Sequence, residues 1–180
     1  MIQVQPLRTV RWGLVLAIAA ILLGFCLGGA FGLFEDPIQA WLKTRGEGVL
    51  ATVYANDPAA LAKTLDRSWA YFVRAHMHGG GIGSAALGLC LLLSFLPGPE
   101  RLRALLAGSL GLGALGYSSF WLLAGMRAPV LGSTGAAKES LGWLAIPSAG
   151  LLLVGVALTL ALSCWSLWRR QPSESGDADQ

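Results

Sequence analysis

The sequence predicts an all-α integral membrane protein, with four transmembrane helices in a bundle and an extracytoplasmic amphipathic helix between spans one and two. Hydrophobic residues make up 54% of the chain and charged residues only 13%, about half the charged fraction of an average soluble domain. Four stretches contain no charged residue at all, at 12–34, 79–96, 104–124 and 141–168. Because a helix of about 20 apolar residues crosses a hydrocarbon core of about 30 Å, each stretch is a candidate span.

The segments outside the spans predict the orientation of the chain. Arginines lie in the N-terminal tail, in the turn between spans two and three, and in the C-terminal tail, at Arg8, Arg11, Arg101, Arg103, Arg169 and Arg170. Lys and Arg are enriched in cytoplasmic segments of membrane proteins, so both termini are expected in the cytoplasm. The expected location is the cytoplasmic (inner) membrane of a bacterium. The expected segments are a cytoplasmic tail 1–11, an extracytoplasmic segment 35–78, a cytoplasmic turn 97–103, an extracytoplasmic loop 125–140 and a disordered cytoplasmic tail 169–180.

Segment 35–78 contains a helix-start signal followed by an amphipathic pattern. Asp57 can accept hydrogen bonds from the first free N–H groups of a helix, and Pro58 suits the first helical position. Apolar residues then recur at intervals of three and four, the period of one helix face, at Leu61, Leu65, Trp69, Phe72 and Val73. We expect an amphipathic helix over 58–75, lying on the outer bilayer surface or covering the end of the bundle.

The spans themselves are rich in small residues at intervals of four. Helices in lipid gain little from hydrophobic burial against one another, so close backbone approach at small residues drives their association. The residues predicted to form helix contacts are Gly24, Gly28, Gly32, Gly79, Gly83, Gly108 and Gly111. The pattern favours contacts within one bundle and leaves contacts between chains open.

Both histidines of the chain lie where the amphipathic helix meets span two, with Met77 between them and three glycines directly after. Met126 ends span three at the same predicted face. Imidazole with thioether suits copper, and imidazole alone can hold haem iron. The candidate ligands of a haem or copper cofactor are therefore His76, His78 and Met126. For a metal ion bound by imidazole alone, the candidate ligands are His76 and His78.

Helix geometry sets a condition on that site. Residues two apart on a continuous helix point about 200° from each other, so only a broken backbone would turn both imidazoles to one metal. A haem would need one histidine together with Met126, or a histidine of another subunit. The alternative is that both histidines are interfacial polar residues that hydrogen-bond to water, headgroups or a carboxylate, or that they transfer protons.

The remaining sequence indicates no reaction. No spacing of Ser, His and Asp and no pair of intramembrane carboxylates forms a catalytic pattern, so whether the protein is an enzyme stays open. The expected function is an accessory or scaffolding component of a membrane assembly, in contact with the lipid bilayer and with membrane-protein partners or further copies of the chain. The alternatives are a haem- or metal-binding redox protein and a small oligomeric transporter. The net charge of +3 arises from bases near span ends, so no nucleic-acid partner is expected.

Overall fold

The computed structural model describes residues 5–168, and every element in that range is an α-helix. The helices are α1 (Gln5–Glu47), α2 (Leu50–Val53), α3 (Pro58–Phe95), α4 (Glu100–Leu131), α5 (Thr134–Glu139) and α6 (Gly142–Trp168). Four of them, α1, α3, α4 and α6, are long and apolar enough to cross a membrane. The predicted class, an all-α bundle of four membrane-length helices, is confirmed. The predicted C-terminal tail 169–180 lies outside the described residues.

The two longest helices extend well past their apolar stretches. At 1.5 Å per residue, the 38 residues of α3 span about 57 Å, nearly twice the thickness of a hydrocarbon core. Its first half is the amphipathic stretch 58–75, which continues into the span without a break. That stretch therefore extends span two and does not form a helix of its own. The Asp57 carboxylate caps its start by accepting from the N–H groups of Ala59 and Ala60 at 2.8 and 3.2 Å.

Helix α1 is kinked where its apolar stretch ends. Phe34 has φ −136° and ψ 27°, outside the helical region, and Pro37 follows three residues later. A proline ring inside a helix removes one N–H donor and collides with the carbonyl four residues earlier, here that of Leu33, so Pro37 accounts for the kink. Residues 32–37 are exposed, and the helix returns to the bundle further on at Leu42, which is 2% exposed.

Close contacts at glycines fix the relative direction of the helices. Gly24 of α1 meets Gly79 of α3, whereas the earlier Gly13 of α1 lies against Ala107 near the start of α4. A second contact in each pair, Gly83 with Ile21 and Gly46 with Pro129, makes α1 antiparallel to α3 and parallel to α4. Gly113 of α4 lies against the backbone of Leu152 in α6, and the two helices run antiparallel. The four long helices thus alternate in direction, which places Arg8, Arg11, Arg101 and Arg103 at one end of the bundle.

Helix α6 occupies the periphery of the bundle. Helices α1, α3 and α4 all contact one another, whereas α6 packs mainly against α4. Its other side is open, with exposed fractions of 71% at Trp143, 70% at Leu153 and 63% at Leu160. In a membrane this face would contact lipid or another protein.

Hydrogen bonds to α4 hold together the end of the bundle that extends past the apolar stretches. Pro129 has no N–H to donate to the Gly125 carbonyl one turn earlier. The buried Ser68 hydroxyl donates to that carbonyl at 2.8 Å. The Tyr54 hydroxyl donates to the Pro129 carbonyl, also at 2.8 Å, and so ties the turn after α2 to α4.

Candidate functional site around His76 and His78

The histidine pair lies inside an uninterrupted helix. Residues 74–88 are all helical, and none of the three glycines after His78 breaks the backbone. At 100° per residue the two imidazoles leave the helix on different sides. His76 faces α1 and His78 faces α4, so the pair does not converge on a shared ligand position.

His76 fills a gap between α1 and α3. Its Nδ1 lies 2.7 Å from the carbonyl oxygen of Gly24, and its ring is 6.0 Å from the ring of Phe31, edge to face. The missing side chain of Gly28 makes this position possible, since a Cβ atom there would lie only 2.6 Å from His76 Cε1. The imidazole is therefore held by one hydrogen bond and by the shape of the glycine-lined surface.

The hydrogen bond at His76 also fixes its chemistry. A carbonyl oxygen can only accept, so Nδ1 must carry the proton and donate it to Gly24. In the neutral ring Nε2 then holds the free lone pair, as in histidines that bind metals while the other nitrogen donates to a backbone carbonyl. The same arrangement also suits a histidine that only links two helices, so it permits a ligand role without requiring one.

His78 lies among aromatic rings of α4. Its ring centroid is 5.3 Å from that of Tyr117 and 6.0 Å from that of Trp121. Trp121 in turn makes an edge-to-face contact with Tyr71 at 4.8 Å. Arg74, one turn before His78, stacks on the same group of rings. The sequence offered no signal for this cluster, because its members come from two helices whose register depends on glycine contacts elsewhere.

Met126 lies with a third set of residues. It lines a cavity of about 320 Å³ together with Pro37, Ile38, Trp41 and Phe72, between α1, α3 and α4. Within residues 5–168 no group of three or more His, Cys, Asp or Glu side chains is arranged to hold a metal ion. The predicted ligands His76, His78 and Met126 therefore have separate surroundings in one chain. The two histidines point to different sides because α3 is continuous where a shared site would require a break, and Met126 lies on α4 in a separate cavity.

The glycines predicted to pack fall into three groups. Gly24, Gly79, Gly83 and Gly111 lie against a neighbouring helix, and Gly28 lies against the His76 ring. At Gly32 and Gly108, an added Cβ atom would have no atom of another described helix within 4 Å.

Local geometry explains both exceptions. Gly32 lies on the exposed segment beside the Phe34 kink. Gly108 is turned by about 100° from Ala107, the residue that meets α1. Neither forms a helix contact within residues 5–168. Close contacts also occur at glycines that the prediction did not select, among them Gly13, Gly113, Gly116 and Gly155.

Comparisons of the chain with protein-family models, with curated proteins and with solved structures found no match. The functional argument therefore rests on the residues and contacts described above.

Proposed function

We propose that the protein is an accessory or scaffolding component of a membrane assembly, located in the cytoplasmic membrane of a bacterium with both termini inside. The close packing of the helices along their apolar stretches carries this proposal. Backbones meet directly at Gly24 with Gly79, at Gly13 with Ala107 and at Gly113 with Leu152, which leaves no room for a substrate path between those helices. The four apolar stretches also contain no charged side chain. Transporters and pumps commonly keep ionisable groups within the membrane.

Helix α6 is the proposed contact with the rest of the assembly. It is attached through α4 and offers most of its length to its surroundings. Gly142 and Gly150 have open space beside them, so another helix can approach the α6 backbone closely at these positions. The arginines Arg8, Arg11, Arg101 and Arg103, gathered at one end of the bundle, support the proposed orientation.

Site-specific photocrosslinking in native membranes tests this proposal. A photoreactive amino acid at Leu153, on the open face of α6, is expected to give one discrete protein adduct of constant mass. The same amino acid at Leu105, which is 72% exposed on α4, serves as a matched control on another helix. Gly150→Leu should abolish the Leu153 adduct by blocking close helix approach. Crosslinks to lipid alone from Leu153 would contradict the proposal.

A second candidate, a haem- or metal-binding role, is favoured by one observation. The bond from His76 Nδ1 to Gly24 leaves Nε2 as the atom that would bind iron or copper. One imidazole per chain would require a second ligand from another copy or from a partner.

An absorption spectrum and metal analysis of protein purified from its native membrane test this role. His76→Ala should abolish any haem absorbance or bound metal, whereas His78→Ala should leave it. Preparations without haem, copper, iron or zinc would rule this candidate out.

A further inference from the structure

Arg74 is held against two aromatic rings at the boundary between the polar and apolar halves of α3. Its guanidinium carbon lies 5.3 Å from the ring centroid of Tyr71 and 5.0 Å from that of Trp121. Within residues 5–168 it makes no hydrogen bond and no ion pair, and the single ion pair found there joins Lys43 to Glu47. The rings thus fix the position of a cation whose N–H donors have no acceptor.

Two further polar groups of this cluster also lack partners. His78 follows Arg74 by one turn on the same face of α3. Its ring contacts Tyr117 and Trp121, and it makes no hydrogen bond within residues 5–168. The Trp121 Nε1 is buried and has no acceptor among the described residues. No carboxylate of the described residues forms an ion pair with Arg74, so the cluster concentrates donors and positive charge and would be completed by an anion.

The depth of the cluster identifies the anion. Arg74 is the last charged residue before the uncharged stretch 79–96 of α3, and Trp121 lies near the end of the uncharged stretch 104–124 of α4. Arginine and tryptophan at the ends of apolar spans lie at the headgroup layer of a bilayer. The anion found throughout that layer is the phosphate of a lipid.

The surface of α3 next to His78 also fits the rest of a lipid. Gly81, Ala85 and Gly88 follow His78 at intervals of three and four, so they continue its helix face into the apolar half. All three are exposed, and Gly81 and Gly88 have open space beside them. Small residues here form a shallow track along which an acyl chain can lie.

We propose that Arg74 and His78, positioned by Tyr71, Tyr117 and Trp121, bind the phosphate of an anionic phospholipid whose acyl chain lies along Gly81, Ala85 and Gly88. This site is independent of the proposed assembly role of α6. It is also separate from the His76 contact, which lies on the α1 side of α3.

Lipid retention measures the site directly. The full chain is reconstituted in phosphatidylcholine nanodiscs that contain a minor fraction of phosphatidylglycerol, then extracted into detergent and analysed by native mass spectrometry. Arg74→Gln is expected to lower retained phosphatidylglycerol by about tenfold, the effect of losing one charge-assisted hydrogen bond. His78→Gln should give a smaller loss, and it provides an independent test if Arg74→Gln fails to fold.

Arg67→Gln is the matched control, because Arg67 lies two turns earlier on α3 and is exposed. The cation–π contacts among the described residues involve Arg11, Arg45 and Arg74 and not Arg67. It loses the same charge and should retain phosphatidylglycerol as the unaltered protein does. Gly88→Leu should also lower retention by filling the acyl track. Equal losses from Arg74→Gln and Arg67→Gln would overturn the proposal, since general surface charge would then explain binding.

A soluble phosphate ester tests whether the site binds the phosphate of a lipid or any free phosphate. Glycerol 3-phosphate carries the same anionic group without acyl chains. It is expected to leave the thermal stability of the delipidated protein unchanged, whereas phosphatidylglycerol should raise it. Equal stabilisation by both would overturn the lipid assignment.

Discussion

His76 and Gly28 form one contact, in which a ring occupies the space left by a missing side chain. The hydrogen bond to the Gly24 carbonyl and the edge-to-face contact with Phe31 both depend on that space. Gly32, one helical turn beyond Gly28, has no neighbouring helix within 4 Å of an added Cβ atom in the part of the chain that the structure describes. The two glycines therefore have the same spacing pattern in the sequence but different surroundings in the fold.

Replacing each of these two glycines tests whether the His76 contact or the four-residue spacing determines the effect on stability. Gly28→Leu should displace the His76 ring and destabilise the protein by about 1–3 kcal/mol, the usual cost of overpacking. Gly32→Leu should change stability by no more than about 0.5 kcal/mol, as at an ordinary surface position. Thermal unfolding in one detergent measures both. Equal effects would show that the His76 contact does not decide the outcome.

Tyr54 makes the stability of the protein depend on pH. Its hydroxyl is buried and donates to the Pro129 carbonyl, a bond that only the neutral phenol can make. Burial raises the pKa of Tyr54, and the Thr64 hydroxyl partly opposes that rise. Because the folded-state pKa lies above the unfolded value, this group contributes its full stability below the unfolded pKa of about 10 and loses it as pH rises through the folded pKa.

Tyr54→Phe should therefore cost about 1 kcal/mol at neutral pH, the net value of one hydrogen bond. The difference between the two proteins should stay constant up to a pH of about 9 and shrink above about 10, near the pKa of a free phenol. Unfolding midpoints measured across this range provide the check. A difference that grows with pH would contradict the assigned bond.

Helices α3 and α4 are joined by a bond that a proline makes necessary. Pro129 leaves the Gly125 carbonyl without its helical donor, and the Ser68 hydroxyl takes that place at 2.8 Å. A buried carbonyl without a donor is costly, so the value of Ser68 should depend on the residue at position 129.

A double-mutant cycle measures this dependence. Ser68→Ala should destabilise the protein by about 1–3 kcal/mol when Pro129 is present, because the Gly125 carbonyl is left unpaired. In a Pro129→Ala background the new N–H can serve that carbonyl, and Ser68→Ala should cost much less. Ser84→Ala, at an exposed position of α3, is the neutral control. Strictly additive effects would show that the two residues act independently.

The sequence predicted which segments form the long helices better than it predicted where those helices end. Uncharged stretches mark where a helix meets lipid, and all four stretches lie in membrane-length helices to within one residue at their ends. Beyond them α1 continues to Glu47, held in the bundle by residues such as Leu42. Such contacts come from other helices and leave no periodic signal that distinguishes an extension of a span from a separate amphipathic helix.

At the candidate site, too, the sequence predicts what depends on one helix and not what depends on the packing of several helices. The separation of His76 and His78 by about 200° follows from helix geometry alone. Their partners Gly24 and Trp121 depend on the register of α1 and α4 against α3, which close glycine contacts determine. Spacing alone could not select Gly13 or reject Gly32, because it does not specify which helix lies opposite.

The alternating directions of the four long helices leave one orientation question for the whole protein. One end of the bundle carries Arg8, Arg11, Arg101 and Arg103, and the other end carries the turn at Gly48 and the start of α3. The arginines favour the cytoplasm for the first end. The Arg74 cluster lies toward the second end, so the orientation also decides which leaflet would supply its lipid.

Cysteine labelling in intact cells is expected to place Gly48 outside and the termini inside. Gly48 is exposed in the turn after α1, so Gly48→Cys should react with a membrane-impermeant maleimide added to cells, in a background where Cys26, Cys90 and Cys164 are replaced. Gln5→Cys and Ser175→Cys should react only after the membrane is opened. Reaction of Gly48→Cys from the cytoplasmic side alone would reverse the orientation and assign the Arg74 cluster to the cytoplasmic leaflet.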